Sequence, residues 1–187
     1  MTLTHIFQTL LREAHIEFSP TPGFVPIPVR ENGVLNYQYA MCSPSGELEL
    51  RYRVDSFARL EAERQAANAG MDILASASLD QLHAANFMAM VLNLSGGMFA
   101  EPTVFRPETS TLLYGADWSS LAFMRLADHD FAPDYDSAYV LAIHKEGIAD
   151  VYVIGLYCDN NGTSGDFDKN SLPADVQRYL APTLRFC

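Results

Sequence analysis

The stretch that decides the fold is SAYVLAIHKEGIADVYVIGLYCD, residues 137–159, in which two apolar segments flank a turn that contains Gly147. Each segment is apolar at consecutive positions, and not only at alternate ones. Strands with this pattern are buried on both faces, because neither face presents a polar surface to water. We therefore predict that this hairpin lies at the centre of a covered sheet and forms the core, and that function belongs to the loops around it.

A second hairpin is predicted from Val34 to Val54, with its turn at residues 43–46. Apolar and polar residues alternate along both arms, which is typical of antiparallel strands with one buried face and one face in water. The polar positions of the second arm are Glu47, Glu49, Arg51 and Arg53. We expect these side chains to face water and to pair across strands.

Three helical patterns lie in the first half of the chain. Apolar residues at i, i+3, i+4 and i+7 predict an amphipathic helix from Leu3 to Ile16. The composition of Asp55–Ala69 predicts an exposed helix, and a longer helix is predicted from Leu79 to Leu94. Ser78 and Gln81 have the spacing of a capping box at the start of the longer helix. We expect this longer helix to be the main one packed on the sheet, because it has a broad apolar face.

The remaining segments predict further strands and a last helix. Four prolines between residues 20 and 28 predict that Phe24–Val29 is an extended edge segment, since proline donates no hydrogen bond to a neighbouring strand. Strands are also predicted at Thr103–Arg106, Thr111–Gly115 and Ser119–Leu126, and a short helix begins at Ser171.

This order of elements predicts one α+β domain over residues 1–187, with an antiparallel sheet of about six strands and helices packed on its faces. The N-terminal helix, residues 1–17, would be added to a core that covers residues 24–185. Small residues in the central strands would let the longer helix approach the sheet closely: Ala138, Ala142 and Gly155.

In its order of elements the chain resembles the Mog1/PsbP-like fold group. The resemblance is carried by the hairpin Tyr37–Val54, the helix Leu79–Leu94, the stretches TLLYGADWSSLAFMRL and SAYVLAIHKEGIADVYVIGLY, and the C-terminal helix. It covers residues 24 to 185 and matches no residue motif, so it transfers no site residue to this chain. It implies a binding or accessory protein, because members of the group bind a small GTPase, assist a photosystem or chaperone secreted effectors.

The composition is acidic, with 23 Asp and Glu against 12 Lys and Arg and a formal net charge of −11. Nucleic acids and anionic membranes attract positive charge, so we expect neither of them as a partner. The charge is compatible with a basic protein partner or with cation binding, and the ordinary interpretation is a solvated acidic surface that keeps the protein soluble.

The targeting features predict a cytoplasmic protein. No run of about 20 apolar residues occurs, and the first residues lack the pattern of a signal peptide. The cysteines, Cys42, Cys158 and Cys187, are far apart and form no CxxC pair. Reduced thiols in a cytoplasm fit this arrangement better than a disulfide framework.

The candidate binding residues are Trp118, Arg125 and Tyr135. Trp118 is the single tryptophan and lies at a predicted turn between strands. Tryptophan is enriched in the residues that dominate protein interfaces. Arg125 and Tyr135 would be its neighbours if the turns gather at one rim of the sheet. The alternative is that Trp118 folds back on the sheet and plugs the core.

The acidic loop DHDFAPDYD, residues 128–136, contains candidate metal ligands in Asp128, His129 and Asp130. Carboxylates suit hard cations, and an imidazole suits zinc or iron. The alternative interpretation is a solvated loop in which Asp and Pro residues form turns. We favour the solvated loop, and we predict neither a metal nor a cofactor.

The sequence contains no recognised catalytic motif: GxSxG, HExxH, the P-loop and GxGxxG are all missing. Cys158 and His144 lie at opposite ends of the predicted central hairpin, which is too far apart for proton transfer, and we expect Cys158 to be buried and inert. We therefore expect a non-catalytic cytoplasmic protein that recognises another protein, as an immunity protein or a chaperone does. The alternative is a metal-dependent or small-ligand-binding enzyme that uses the loop 128–136.

Overall fold

The computed structural model describes residues 3–67, 78–127, 131–158 and 183–187. Within these residues the helices are α1 (His5–Glu13), α2 (Phe57–Ala67), α3 (Leu79–Leu94) and α4 (Pro107–Tyr114). The strands are β1 (Ile16–Phe18), β2 (Val25–Ile27), β3 (Tyr39–Cys42), β4 (Leu48–Ser56), β5 (Thr103–Val104), β6 (Trp118–Arg125), β7 (Ser137–Lys145), β8 (Ala149–Tyr157) and β9 (Leu184–Phe186). The helix predicted to begin at Ser171 lies outside the described residues. No helix in the described part of the chain is long and apolar enough to cross a membrane.

Seven strands form one antiparallel sheet in the order β2-β3-β4-β8-β7-β6-β5. The predicted central hairpin is the pair β7–β8, and β8 holds the middle position of the sheet. Every residue of β8 is buried, and so is every residue of β7 except the last. The two-sided apolar pattern arises because both faces are covered. The predicted α+β class, with helices on an antiparallel sheet, is confirmed.

Each face of the sheet has its own hydrophobic cluster. On the face that we call the α1 face, α1 buries Phe7, Leu10 and Leu11. On the opposite face, which we call the α3 face, α3 buries a row of its own residues: Phe87, Met90, Val91 and Leu94. Burial of each large apolar side chain contributes about 1.5–3 kcal/mol to folding. Helix α3 therefore covers the second face of the sheet, as predicted.

The small residues of the central strands serve both faces. Ala138 and Ala142 belong to the cluster under α3, which agrees with the prediction that small residues admit this helix. Gly155 faces the other way, and a Cβ atom at this position would overlap the ring of Tyr139. The prediction for Gly155 is therefore wrong, because its missing side chain admits a neighbouring tyrosine ring and not a helix.

Glu49 and Arg51 on β4 are buried, which contradicts the prediction that they face water, whereas Glu47 is exposed as predicted and Arg53 is half-buried. Glu49 is 4% exposed and Arg51 is 1% exposed. The guanidinium of Arg51 donates to Glu49 Oε1 at 2.6 Å and to the carbonyl of Phe131 at 2.6 Å. It also lies over the rings of Tyr37 and Phe131. These partners replace water, so the alternating pattern of β4 describes two buried faces of different polarity.

Helix α4 replaces the strand that was predicted at Thr111–Gly115. Pro107 occupies the first turn of α4, where its missing N–H would have no helical partner in any case. Gly115 ends the helix with a φ of 64°, in the left-handed region. A Cβ atom there would also meet the carbonyl of Phe186, so this end of α4 needs glycine for two reasons.

The first helix ends earlier than predicted, at Glu13. His15 takes a φ of 51°, and the chain then turns into β1. Strand β1 pairs antiparallel with β9, which forms a separate two-stranded sheet. A three-residue strand is too short to show an alternating apolar pattern, so the pairing of β1 with β9 near the chain end was not predictable from the sequence.

The predicted edge strand within Phe24–Val29 and the exposed helix are found in the structure, but the predicted capping box is not. Strand β2 forms one edge of the large sheet and β5 forms the other. Helix α2 is exposed along most of its described length, with Phe57 buried at its start. The Ser78 hydroxyl donates to Asp80 Oδ2 at 3.3 Å and makes no capping bond to the backbone of α3.

Candidate functional site

The structure does not bring the three predicted binding residues to one rim. Trp118 and Arg125 are the first and last residues of β6, and a strand rises about 3.3 Å per residue, so they lie about 23 Å apart. Tyr135 is near the Arg125 end, where Arg125 pairs with Asp136 at 3.4 Å. The Trp118 end and the Arg125 end of the sheet are therefore separate places, and a binding role for each residue stays a prediction.

Trp118 begins a row of side chains that crosses the sheet at one end. It pairs with His144 of β7, His144 pairs with Asp150 of β8, and Asp150 pairs with Asp55 of β4. Directly opposed residues of neighbouring strands point to the same face, so the four side chains are neighbours. Trp118 is half-buried and its ring lies 4.8 Å from that of His83 on α3. It thus packs against the hydrophobic cluster of the α3 face but is not one of its buried members.

His144 and Asp150 form a buried pair within this row. The His144 ring is 5% exposed, and its Nδ1 lies 2.8 Å from Asp150 Oδ1. A carboxylate accepts hydrogen bonds only, so the neutral ring carries its proton on Nδ1 and leaves Nε2 as an acceptor. Tyr152 donates its hydroxyl to Asp150 Oδ2 at 3.5 Å. Burial, together with the charge of Asp150, raises the pKa of Tyr152, which keeps that hydroxyl protonated.

The N-terminal part of α3 also packs on the His144 ring. The His83 ring stacks on it with 4.0 Å between centroids and 16° between planes. Asp80 Oδ1 accepts the Gly147 N–H at 2.6 Å and lies 3.9 Å from His144 Nε2, beyond hydrogen-bonding distance. Residues three apart on a helix share a face, so α3 delivers a carboxylate and an imidazole together.

Arg53 and Asp55 of β4 continue the row of polar side chains that contains His144 and Asp150, under α2. Arg53 Nε lies 2.9 Å from each carboxylate oxygen of Asp55, and its guanidinium lies 5.8 Å from the ring centroid of Tyr152. Burial raises the pKa of Asp55, and the hydrogen bond from Arg53 opposes this shift. The network from Arg53 to His83 was not predicted, because its members are spread over β4, α3, β7 and β8.

This network can accept a hydrogen bond from a donor group. A histidine whose Nδ1 is held by a carboxylate can accept a proton or a hydrogen bond at Nε2. In the part of the chain that the structure describes, no group of three or more His, Cys, Asp or Glu residues could hold a metal ion. The buried pair therefore orients Nε2 without assembling a metal centre.

Cys158 and His144 are at opposite ends of the central hairpin, as predicted. His144 pairs with Asp150, whereas Tyr157, which precedes Cys158, pairs with Ser137 at the far end. Cys158 is exposed, so the expectation that it is buried is wrong. The chain leaves the sheet after Tyr157, and the thiol donates to the carbonyl of Asp134 at 3.4 Å.

The Tyr135 end of the sheet holds groups that stay protonated. Tyr135 donates its hydroxyl to the carbonyl of Gly46 at 3.3 Å, and burial raises its pKa. Burial also raises the pKa of Cys42, so this thiol has little nucleophilic character. The candidate metal ligands at positions 128, 129 and 130 lie outside the described residues, so a metal role for them stays a prediction.

Large apolar side chains are exposed along the edge of the sheet that ends with β5. We call the segment 98–104 the β5 edge. Met98 is 56% exposed, Phe99 is 75% exposed and Val104 is 57% exposed. Ala100, between them, is buried in the cluster under α3, which ties the segment to the sheet. The only sign in the sequence is the apolar pair Met98-Phe99 directly after Gly96-Gly97, where a polar loop would be usual.

Comparison with protein-family models, with curated proteins and with solved structures found no match. The resemblance to the Mog1/PsbP-like fold group therefore stays a prediction from the order of elements, and the functional proposals below rest on the geometry of this chain.

Proposed function

We propose that this protein is a non-catalytic cytoplasmic protein that recognises another protein, and that the β5 edge is its contact surface. The observation that carries the proposal is the exposure of Met98, Phe99 and Val104 on one edge of the sheet. A single exposed apolar residue is ordinary, but several on one segment are typical of an interaction site.

The backbone of the β5 edge supports recognition of an extended segment. Phe105 donates its N–H to Ser119 at 3.0 Å, and Thr103 accepts from the Ser120 hydroxyl at 3.1 Å, so β5 is held on β6 from one side. In an antiparallel pair, alternate residues direct their N–H and C=O groups away from the partner strand. Val104 is such a residue. A partner strand could therefore add to this edge with main-chain hydrogen bonds.

The charge of the chain favours a basic partner. The formal net charge is −11, and Glu101 is exposed within the β5 edge itself. Opposite charge on the partner would raise the association rate, and salt would reduce it. We therefore expect the partner to present an apolar side chain flanked by Lys or Arg. A target of an immunity-like or chaperone-like protein could present such a surface.

Capture from native cytosol tests this proposal. The immobilised wild-type protein should retain a stoichiometric partner at low salt and less of it at high salt. Phe99→Ser should weaken the affinity by about 30-fold, and so reduce recovery, if Phe99 carries the roughly 2 kcal/mol that is typical of a central interface residue. Ile6→Ser is the matched control, because Ile6 is 56% exposed but lies on α1, far from the β5 edge.

Both variants should fold, because substitution of an exposed side chain changes stability by about 0.5 kcal/mol or less. Circular dichroism melting checks this point. The proposal fails if wild-type protein retains no stoichiometric partner at low salt, or if Phe99→Ser retains as much as Ile6→Ser does.

The alternative function, a metal-dependent or small-ligand-binding enzyme that uses the loop 128–136, remains a separate prediction. Metal analysis of the purified protein, with melting in the presence and absence of EDTA, tests it, because a bound ion should raise the melting temperature.

A further inference from the structure

A cleft of about 630 Å³ lies between α2 and the start of α3. Among the described residues, its apolar walls are Phe57, Ala58, Leu79 and Leu82. Asp80 contributes a carboxylate to the same cleft. Sites for small molecules typically have volumes of about 300–1,000 Å³ and combine apolar walls with a few polar groups. The cleft has the size and the lining of such a site.

His144 lies directly behind the polar end of this cleft. Its ring is 6.0 Å from that of Phe57, and its Nε2 is 3.9 Å from Asp80 Oδ1. Phe57 and Asp80 both line the cleft, so the His144 ring lies next to two of its lining residues. The bond to Asp150 fixes Nε2 as the acceptor nitrogen of the neutral ring. An acceptor nitrogen beside the cleft can take a hydrogen bond from a ligand that donates one.

The charges around the polar end favour a cation. Asp80 and His144 Nε2 are both acceptors, and Asp150 adds a second buried carboxylate behind them. The basic side chains here each have a carboxylate partner: Arg64 pairs with Glu61 at 2.9 Å, both of them lining the cleft, and Lys145 pairs with Asp117 at 3.0 Å. A ligand with an anionic head would meet like charge, whereas an ammonium group would meet two acceptors.

We propose that this cleft binds a small organic amine. Its ammonium group donates hydrogen bonds to Asp80 Oδ1 and His144 Nε2, and its apolar part packs between Phe57 and Leu82. His83 supports the arrangement by stacking on the His144 ring. This binding site is independent of the proposed protein contact, because the cleft is at α2 and the contact surface is at the β5 edge.

Titration of the full chain with hexylamine and with 2-phenylethylamine tests the proposal, with hexanol and hexanoate as ligands of matched shape. Trp118 is the single tryptophan and contacts His83, so its fluorescence reports on the site, and calorimetry gives an independent measurement. Both amines should bind saturably near neutral pH, hexanol should bind more weakly, and hexanoate should not bind.

Asp80→Asn should weaken amine binding by about 10- to 100-fold, as the loss of a charge-assisted hydrogen bond predicts. The new amide oxygen can still accept the Gly147 N–H, so the turn is preserved. Glu146→Gln removes the same charge from an exposed neighbouring position and should leave binding unchanged. Ala58→Leu narrows the cleft without touching the polar network and should abolish binding of both amines.

The proposal is overturned if neither amine binds the wild-type protein, or if hexanoate binds as tightly as hexylamine. It is also overturned if Asp80→Asn and Glu146→Gln have the same affinity for amines. If Asp80→Asn does not fold, Ala58→Leu decides the question, since retained affinity in that variant places the amine elsewhere.

Discussion

Replacement of Arg51 by methionine tests whether the charged face of β4 is part of the core. Methionine keeps an unbranched side chain of similar reach and removes the guanidinium. That group is 1% exposed, bonds Glu49 and the Phe131 carbonyl at 2.6 Å each, and lies 4.8 Å and 4.4 Å from the ring centroids of Tyr37 and Phe131. The substitution therefore leaves Glu49 and the Phe131 carbonyl without their hydrogen bonds from Arg51, in a place that water does not reach.

The expected cost follows from what remains behind. Glu49 would be a buried carboxylate without its partner, and loss of one partner of a buried ion pair costs about 3–5 kcal/mol. In a chain of this length, 1 kcal/mol corresponds to about 2–4 °C in Tm, so Arg51→Met should lower Tm by about 6–20 °C. The same guanidinium in water would contribute well under 1 kcal/mol.

Two further variants separate burial from the loss of charge. Arg59→Met removes an arginine from an exposed pair with Glu63 and should cost less than about 0.5 kcal/mol. The double variant Glu49→Leu/Arg51→Met should be more stable than Arg51→Met alone, because it leaves no unpaired buried charge.

Urea unfolding followed by circular dichroism and by Trp118 fluorescence measures all three changes. A cost below about 1 kcal/mol for Arg51→Met would refute the burial of this charge. A double variant that is less stable than the single one would refute the argument from the unpaired carboxylate.

The remaining predictions concern a close contact and the buried tyrosines. Gly155→Ala should destabilise the protein by about 1–3 kcal/mol, because the new methyl overlaps the Tyr139 ring. Gly33→Ala, where a Cβ meets open space, is the control in the same urea experiment, and equal midpoints would contradict the packing argument. Burial raises the pKa of Tyr52 and of Tyr114 to about 12. Their unfolded forms lose protons near pH 10, so stability should be complete below about pH 10 and fall between about pH 10 and pH 12. Urea midpoints across this range check the trend, and a flat profile would contradict it.

The core of the fold was predictable because it depends on a local pattern. Consecutive apolar residues in β7 and β8 leave no face for water, so their central position follows from residue type alone. The apolar face of α3 likewise fixed its place on the sheet before any contact was known. The same kind of reasoning failed at Thr111–Gly115, which was predicted to be a strand. There Pro107 in the first turn and Gly115 at the end delimit a helix that packs on the sheet.

The candidate sites were predictable only in part. Trp118 was identified from its residue type, and it does lie in a polar network at one end of the sheet. Arg125 was grouped with it on the assumption that turns gather at one rim, but strand length separates the two. Asp80, His144 and Asp150 were not grouped with it, because α3, β7 and β8 meet only in the folded chain.

The sequence by itself determined the class of the fold, the central hairpin, the helix over one face and the acidic charge. These properties are sums over neighbouring residues or over the whole chain, so they need no knowledge of distant contacts. Tertiary structure alone decided which side chains meet. It buried Arg51 beneath Phe131, stacked His83 on His144 and left Phe99 exposed beside the last strand of the sheet. The physical reason is that solvent is excluded from a polar group by partners distant in sequence, and residue patterns along one strand or helix do not specify those partners.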